Sequence, residues 1–189
     1  MSKNVKVLVY CALCIALAAV TSMIKVFEFP TGGSITLLSM LFAALPGYFF
    51  GPAIGITSGV AYGLLQFIMG PYILTPIQVI IDYPLAFGAL GLSGFFAKQK
   101  HGLYRGYLAA CLGRWFFAFL SGFVFFGSYA WEGWNPAAYS AVYNFIYIGS
   151  EAVITLILLA IPALRNAIDT IKKNANEGVS LGTAAKTVK

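Results

Sequence analysis

Six apolar runs, each close to the length a helix needs to cross a bilayer, follow one another along this chain with little polar sequence between them. About 20 such residues span the hydrocarbon core, at a rise of about 1.5 Å per helical residue. The runs cover 7–24, 34–50, 51–69, 76–97, 106–127 and 140–164. Phe29-Pro30-Thr31-Gly32-Gly33 punctuates the first two, Gly70-Pro71 breaks the chain before the fourth, and a Trp-bearing loop at 128–139 precedes the sixth. Only 10% of the residues are charged, where a soluble domain carries about 25%, and the mean hydropathy is +0.84. Such a chain cannot cover itself with polar surface. The pattern predicts an all-α integral membrane protein, a six-transmembrane-helix bundle in one domain over 1–165. A basic tail at 166–189 follows, a short amphipathic piece and then a stretch disordered from about Asn176. The first run outlasts the 7–15 residues or so of a signal-peptide core, so it is expected to stay as a helix.

Charge sets the expected orientation. On one side lie Lys3, Lys6, Lys98, Lys100, Arg105, Arg165, Lys172, Lys173, Lys186 and Lys189, and on the other only Lys25. The excess of Lys and Arg on cytoplasmic loops then puts both termini in the cytoplasm. The net charge of +6 reports this topology and not a nucleic-acid partner. Gly51, Gly55, Gly59 and Gly63 repeat on one face of the third run, as do Gly88, Gly91 and Gly94 on the fourth. Small residues at this spacing let helix backbones touch in lipid. Ala12 and Ala16 do the same on the first run, facing either the bundle or a partner protein. Cys11, Cys14 and Cys111 sit in apolar runs without further ligands nearby, so packing thiols are expected rather than a metal site.

Three ionisable residues lie inside these runs: Asp82, Arg114 and Glu151. Charge inside a span is costly and faces a partner, a cavity or a substrate. Arg114 and Glu151 come to similar depth, so a buried ion pair between them is expected. Asp82 has no protein cation at its level, which leaves it for a ligand or for neighbouring tyrosines. Tyr83 is beside it, Gln78 one turn away, and Asn144 shares a helix face with Glu151. Tyr72, Tyr139, Trp131 and Trp134 border the outer mouth. Carboxylate, rings and an amide together suit a flat, cationic, hydrogen-bonding molecule. The chain has no glycine-rich loop ending in Gly-Lys-Ser/Thr, and its one histidine, His101, is in a basic loop. ATP hydrolysis by that loop and His-based hydrolysis therefore fall away. An intramembrane acid/base enzyme using Asp82 or Glu151 is one alternative. A secondary transporter is another, although matching broken spans in two halves are not evident.

Tyr72-Ile73-Leu74-Thr75-Pro76-Ile77-Gln78, Asp82-Tyr83-Pro84-Leu85-Ala86-Phe87-Gly88 and Gly127-Ser128-Tyr129-Ala130-Trp131-Glu132-Gly133-Trp134-Asn135-Pro136, with Gly32-Gly33-Ser34-Ile35-Thr36, resemble the thiamine-specific substrate-binding (S) component of energy-coupling factor transporters. The resemblance reaches about Leu164. It implies a six-helix bundle in the bacterial cell membrane that captures thiamine near the outer face, has no catalytic activity or cofactor of its own, and docks on a transmembrane coupling protein with two ATPases. It further implies that Asp82 faces the cationic vitamin and Tyr83 reaches it. Tyr72, Tyr139 and Asn144 match further polar binding positions, the latter two suiting the aminopyrimidine edge, and Glu151 an acidic one. Phe126 stands where some relatives stack a Trp, with Trp131 nearby. Ala12 and Ala16 match the docking motif, and residues 25–33 the lid. Ala118 replaces a frequent His, and Gly33 and Leu37 a Trp and a Glu known in some relatives. The Ala118 departure admits a related thiazole or pyrimidine as ligand.

Overall fold

In the computed structural model, which describes residues 2–29 and 32–177, a bundle of helices closes over a small β-hairpin. Helix α1 (Lys3–Ser22) starts at Ser2, whose hydroxyl caps the Val5 amide. Strands β1 (Lys25–Glu28) and β2 (Ser34–Thr36) pair antiparallel, Phe27 opposite Ile35 and Glu28 opposite Ser34. Leu38 turns the chain with a φ of 66° into α2 (Ser39–Phe50). Next come α3 (Pro52–Met69), α4 (Pro76–Phe96), α5 (Gly102–Phe125), α6 (Pro136–Leu159) and α7 (Pro162–Asn176). Helices α1, α3, α4, α5 and α6 are long and apolar enough to cross a membrane.

The second expected span needs correction. Residues 34–36 are strand, and α2 has only 12 residues, about 18 Å at the helical rise. It therefore begins within the bundle rather than at its mouth. Non-helical backbone at such depth is tolerated where it lines a cavity or is buried in protein, and β2 and the turn into α2 do both.

Glycine packing draws α2, α3 and α4 together. A methyl group on Gly91 would collide with the backbone of Gly55 and Ile56, and one on Gly55 would collide with Gly47. Ser93 adds a hydrogen bond from its hydroxyl to the Ala44 carbonyl, 2.6 Å. The expected glycine face on α3 thus packs inside the molecule through Gly55, Gly59 and Gly63. Gly51, with a φ of 96°, makes the corner between α2 and α3, and its backbone lies against Gly94 of α4.

Helix α4 is irregular. Ordinary turns over Pro76–Ile80 widen to a π-helical turn over Ile81–Leu85, and the last stretch tightens to 3₁₀ over Ala89–Phe96. Pro84 supplies the cause: it has no amide to return to the Ile80 carbonyl, and its ring crowds that turn. The widened turn carries Asp82 and Tyr83.

The last expected span, 140–164, is in fact two helices. The Tyr104 hydroxyl takes the Leu159 carbonyl (2.7 Å), and Pro162 starts α7 after a break. Helix α7 crosses the expected boundary at 165 and packs on the bundle. It buries Ile168 and Ala175, accepts the Tyr48 hydroxyl on Asp169 Oδ1 (2.9 Å) and donates from Asn176 to the Phe49 carbonyl (3.0 Å). Residues 166–176 thus form the helical piece that precedes the tail. The stretch expected to be disordered lies, from residue 178, outside the described residues.

Candidate ligand-binding cavity

A cavity of about 710 Å³ opens at the hairpin end of the bundle, inside the range of roughly 300–1,000 Å³ that suits small ligands. Its wall comes from the hairpin and from α3, α4, α5 and α6, with Tyr62, Phe87 and Arg114 at its deep end.

One wall is organised by Gln78, which is 1% exposed. Its Nε2 donates to the Asp82 carboxylate and to the Tyr72 carbonyl, while its Oε1 accepts the Leu74 amide at 3.0 Å. The carboxylate and the mouth loop are thus set by a single side chain. Tyr83 secures the same loop: its hydroxyl accepts the Tyr72 amide (2.9 Å) and donates to the Gly70 carbonyl (3.1 Å). The Tyr72 ring stacks on Phe126, centroids 5.7 Å apart, and its hydroxyl pairs with that of Tyr129. That pairing, with a little burial, holds the Tyr72 phenol above its usual pKa and therefore neutral.

The opposite wall is one face of α6. Tyr139 stacks on Tyr143 at 5.4 Å. Asn144 is oriented at both ends of its amide, donating to the Ser140 carbonyl (2.8 Å) and accepting the Tyr147 hydroxyl (2.7 Å). The hairpin closes onto this face, since the Gly33 amide donates to the Tyr143 hydroxyl (3.0 Å) and the Phe29 ring meets that of Tyr143 at 5.6 Å. Lys25 and Glu28, paired at 2.6 Å, sit at the rim.

Six of the residues expected from the sequence come together here: Tyr72, Asp82, Tyr83, Phe126, Tyr139 and Asn144 all line the cavity. Glu151 and Trp131 do not. Glu151 is 3% exposed. Its carboxylate accepts the Thr36 amide (3.3 Å) and hydroxyl (2.6 Å), the Ser39 hydroxyl (3.1 Å) and the Met40 amide (2.9 Å). The expected Arg114–Glu151 ion pair is therefore absent. The start of α2, where free amides and the helix dipole favour an anion, satisfies Glu151 instead. Arg114 lies over the Phe87 ring, 4.3 Å from its centroid. Trp131 packs edge-on against Trp134 (5.0 Å) and Tyr139 (5.1 Å), behind the wall.

Tyr143, Tyr147, Tyr62 and Gln66 also line the cavity and were not singled out from the sequence. The i, i+4 series Tyr139, Tyr143, Tyr147, interleaved with Ser140 and Asn144, is visible in the sequence and would have identified the α6 face. Tyr62 and Gln66 are one turn apart on α3, where glycines dominated the reading.

Fold and cavity together define a class: a helical membrane protein that encloses a ring-lined polar cavity walled in part by a β-hairpin. Comparison with known proteins narrows it. The model of the thiamine transporter protein family matches residues 8–170, and the chain belongs to that family. It is 31% identical over 176 residues to the thiamine transporter ThiT of Bacillus subtilis, covering 85% of this chain and 91% of that one. A ThiT of Lacticaseibacillus paracasei is 30% identical over 118 residues, covering 53% of this chain and 57% of that one. The solved structure of ThiT from Listeria monocytogenes superposes with a TM-score of 0.73 at 29% identity, covering 86% of this chain and 97% of that one.

Proposed function

We propose that this chain is the thiamine-capturing membrane subunit of an importer, the S component of an energy-coupling factor system. The observation that carries this reading is Asp82, a carboxylate on the wall of a membrane-embedded cavity with no ion-pair partner among the described residues. Thiamine brings a permanent positive charge on its thiazolium ring, which Asp82 offsets. Phe126 and Tyr72 offer ring faces, while Tyr139 and Asn144 serve the donors and acceptors of the aminopyrimidine. Family membership and the names of the relatives support the same reading.

In this proposal α2 and the hairpin together make a short sixth crossing, and the mouth faces outward. Both termini lie in the cytoplasm of a bacterial cell. Basic residues on the loop after α4 and on α7 agree with that orientation. Delivery takes place by docking on a coupling protein with two ATPases. Ala12 and Ala16 are exposed on the outer face of α1, flanked by exposed Leu8, Leu13 and Leu17, as a docking stripe requires.

Tryptophan fluorescence of the ligand-free protein in detergent, titrated with thiamine, tests the substrate. Trp131 rests on Tyr139 of the cavity wall, so binding is expected to give saturable quenching at submicromolar thiamine and none with riboflavin. An unchanged signal together with no heat in calorimetry would reject thiamine and direct attention to thiazole or pyrimidine ligands.

A further inference from the structure

Helix α7 lies across the end of the bundle opposite the cavity, and its bonds show at what depth. Asn176 donates to the Phe49 carbonyl in the last turn of α2, and Lys172 donates to the Ala97 carbonyl just past the end of α4. Lys6, in the first turn of α1, donates to the Glu177 carbonyl at 2.8 Å. Just before α7, the Leu159 carbonyl at the end of α6 accepts the hydroxyl of Tyr104, in the first turn of α5. All these partners sit at helix ends, the level at which spans pass from hydrocarbon to headgroups.

The same bonds gather charge. Lys6 of α1, Lys98 and Lys100 of the loop after α4, Arg105 of α5, and Arg165 and Lys173 of α7 come to this one end. The acids among them are Glu177 and Asp169, and Asp169 accepts the Tyr48 hydroxyl. Lys98, Lys100, Arg105 and Lys173 are exposed, and among the described residues the one ion pair, Lys25–Glu28, is at the other end. Like charges collected in this way repel one another unless an anionic surface faces them. Helix α7 is also amphipathic. Ile168 and Ala175 are buried against the bundle, while Ile161 and Ile171 are 49% and 43% exposed. Ile171 follows Ile168 by three residues, so an apolar edge borders the packed face. Apolar edge and basic side chains on one helix are what lets it lie in a membrane interface.

We propose that α7 and the adjoining loop at 97–101 form a seat for acidic phospholipid headgroups, the partner being the anionic surface of the bilayer itself. Charge complementarity selects this occupant, since lysine and arginine at headgroup level attract anionic lipid over about one Debye length, about 8 Å at physiological salt. Ile161 and Ile171 meet the acyl boundary at the same time. The match to the family model ends at residue 170, so the turn bearing Lys172 and Lys173 lies beyond it. The seat also bears on the bundle. Lys172 lies 3.6 Å from the centre of the Tyr48 ring, and Asn176 holds Phe49, so headgroups that hold α7 hold the end of α2 as well. None of this depends on what fills the cavity, and its failure would leave the thiamine reading standing.

The test is lipid selectivity of the full chain in phosphatidylcholine bilayers that carry a trace of spin-labelled phosphatidylglycerol or spin-labelled phosphatidylcholine. The motionally restricted fraction of each label gives their relative association. Phosphatidylglycerol is expected to be favoured at least about threefold at low salt. A smaller ratio overturns the seat, and is the result to be met if a partner protein rather than lipid covers this end. Arg165→Gln combined with Lys173→Gln is expected to cut the preference at least by half, and a smaller drop overturns the part assigned to α7. If that double variant does not fold, Lys98→Gln with Lys100→Gln is read against the same threshold. Inorganic phosphate, compared with sodium chloride at equal ionic strength, is expected to leave the preference unchanged. Its loss in phosphate alone would mark a site for the free ion and overturn the lipid assignment.

Discussion

Gln78 spends one end of its amide on Asp82 and the other on the mouth loop, so the carboxylate's position and the loop's shape are set together. Asp82→Asn keeps the shape and removes the charge. It is expected to weaken thiamine binding at least tenfold, about 1.4 kcal/mol, and an unchanged affinity in calorimetry would remove Asp82 from the site. Glu151 performs a different task, gathering four donors from the end of β2 and the start of α2. Glu151→Ala leaves buried amides at Thr36 and Met40 unpaired, and a loss of about 3 kcal/mol is expected. A lower thermal midpoint in detergent, with ligand absent, would show it. Both acids stood out in the sequence for one reason, charge in an apolar run. Their roles diverge because a carboxylate's partners come from other parts of the chain. Nothing within a few residues of Glu151 announces Thr36, Ser39 or Met40, and depth alone paired it wrongly with Arg114.

Helix-to-helix spacing is set by missing side chains. The backbone of α4 at Gly91 rests on that of α3 at Gly55 and Ile56, a contact that leaves no room for even a methyl group. Gly91→Val is expected to force α3 and α4 apart and to destabilise the bundle by 3 kcal/mol or so, the upper end of overpacking costs. Thermal unfolding in detergent checks this, and a midpoint within a degree of the parent would refute it. The glycine periodicity made this packing legible beforehand, and apolar length marked α1, α3, α4, α5 and α6. Element ends were less legible. Apolar length cannot tell a span from a strand followed by a short helix, which is why 34–36 was read as helix. The π-helical turn at Asp82 follows from Pro84, yet the width of a turn leaves no mark in hydropathy. Similarly, α7 reads as a polar end until Tyr48, Ala97 and Phe49 are seen to accept and supply its hydrogen bonds.

At the level of the whole molecule, the proposed reading assigns capture and delivery to different surfaces. The cavity lies at the hairpin end, while Ala12 and Ala16 sit on the outside of α1. Replacing both alanines with tryptophan is therefore expected to abolish thiamine uptake by cells while leaving binding to the purified chain within about threefold. Uptake that persists would locate the docking surface elsewhere. Among the described residues, none that lines the cavity comes from the far half of the bundle, where the glycine contacts of α2, α3 and α4 close the interior. The molecule is in this respect a cup and not a pipe. A ligand leaves a cup by the opening through which it entered and meets the same affinity on the way out, so the cup by itself brings the two sides of a membrane only to equal concentration. Net accumulation requires work done on the vessel, either on its tilt or on its grip, and in the proposed reading the coupling partners supply that work.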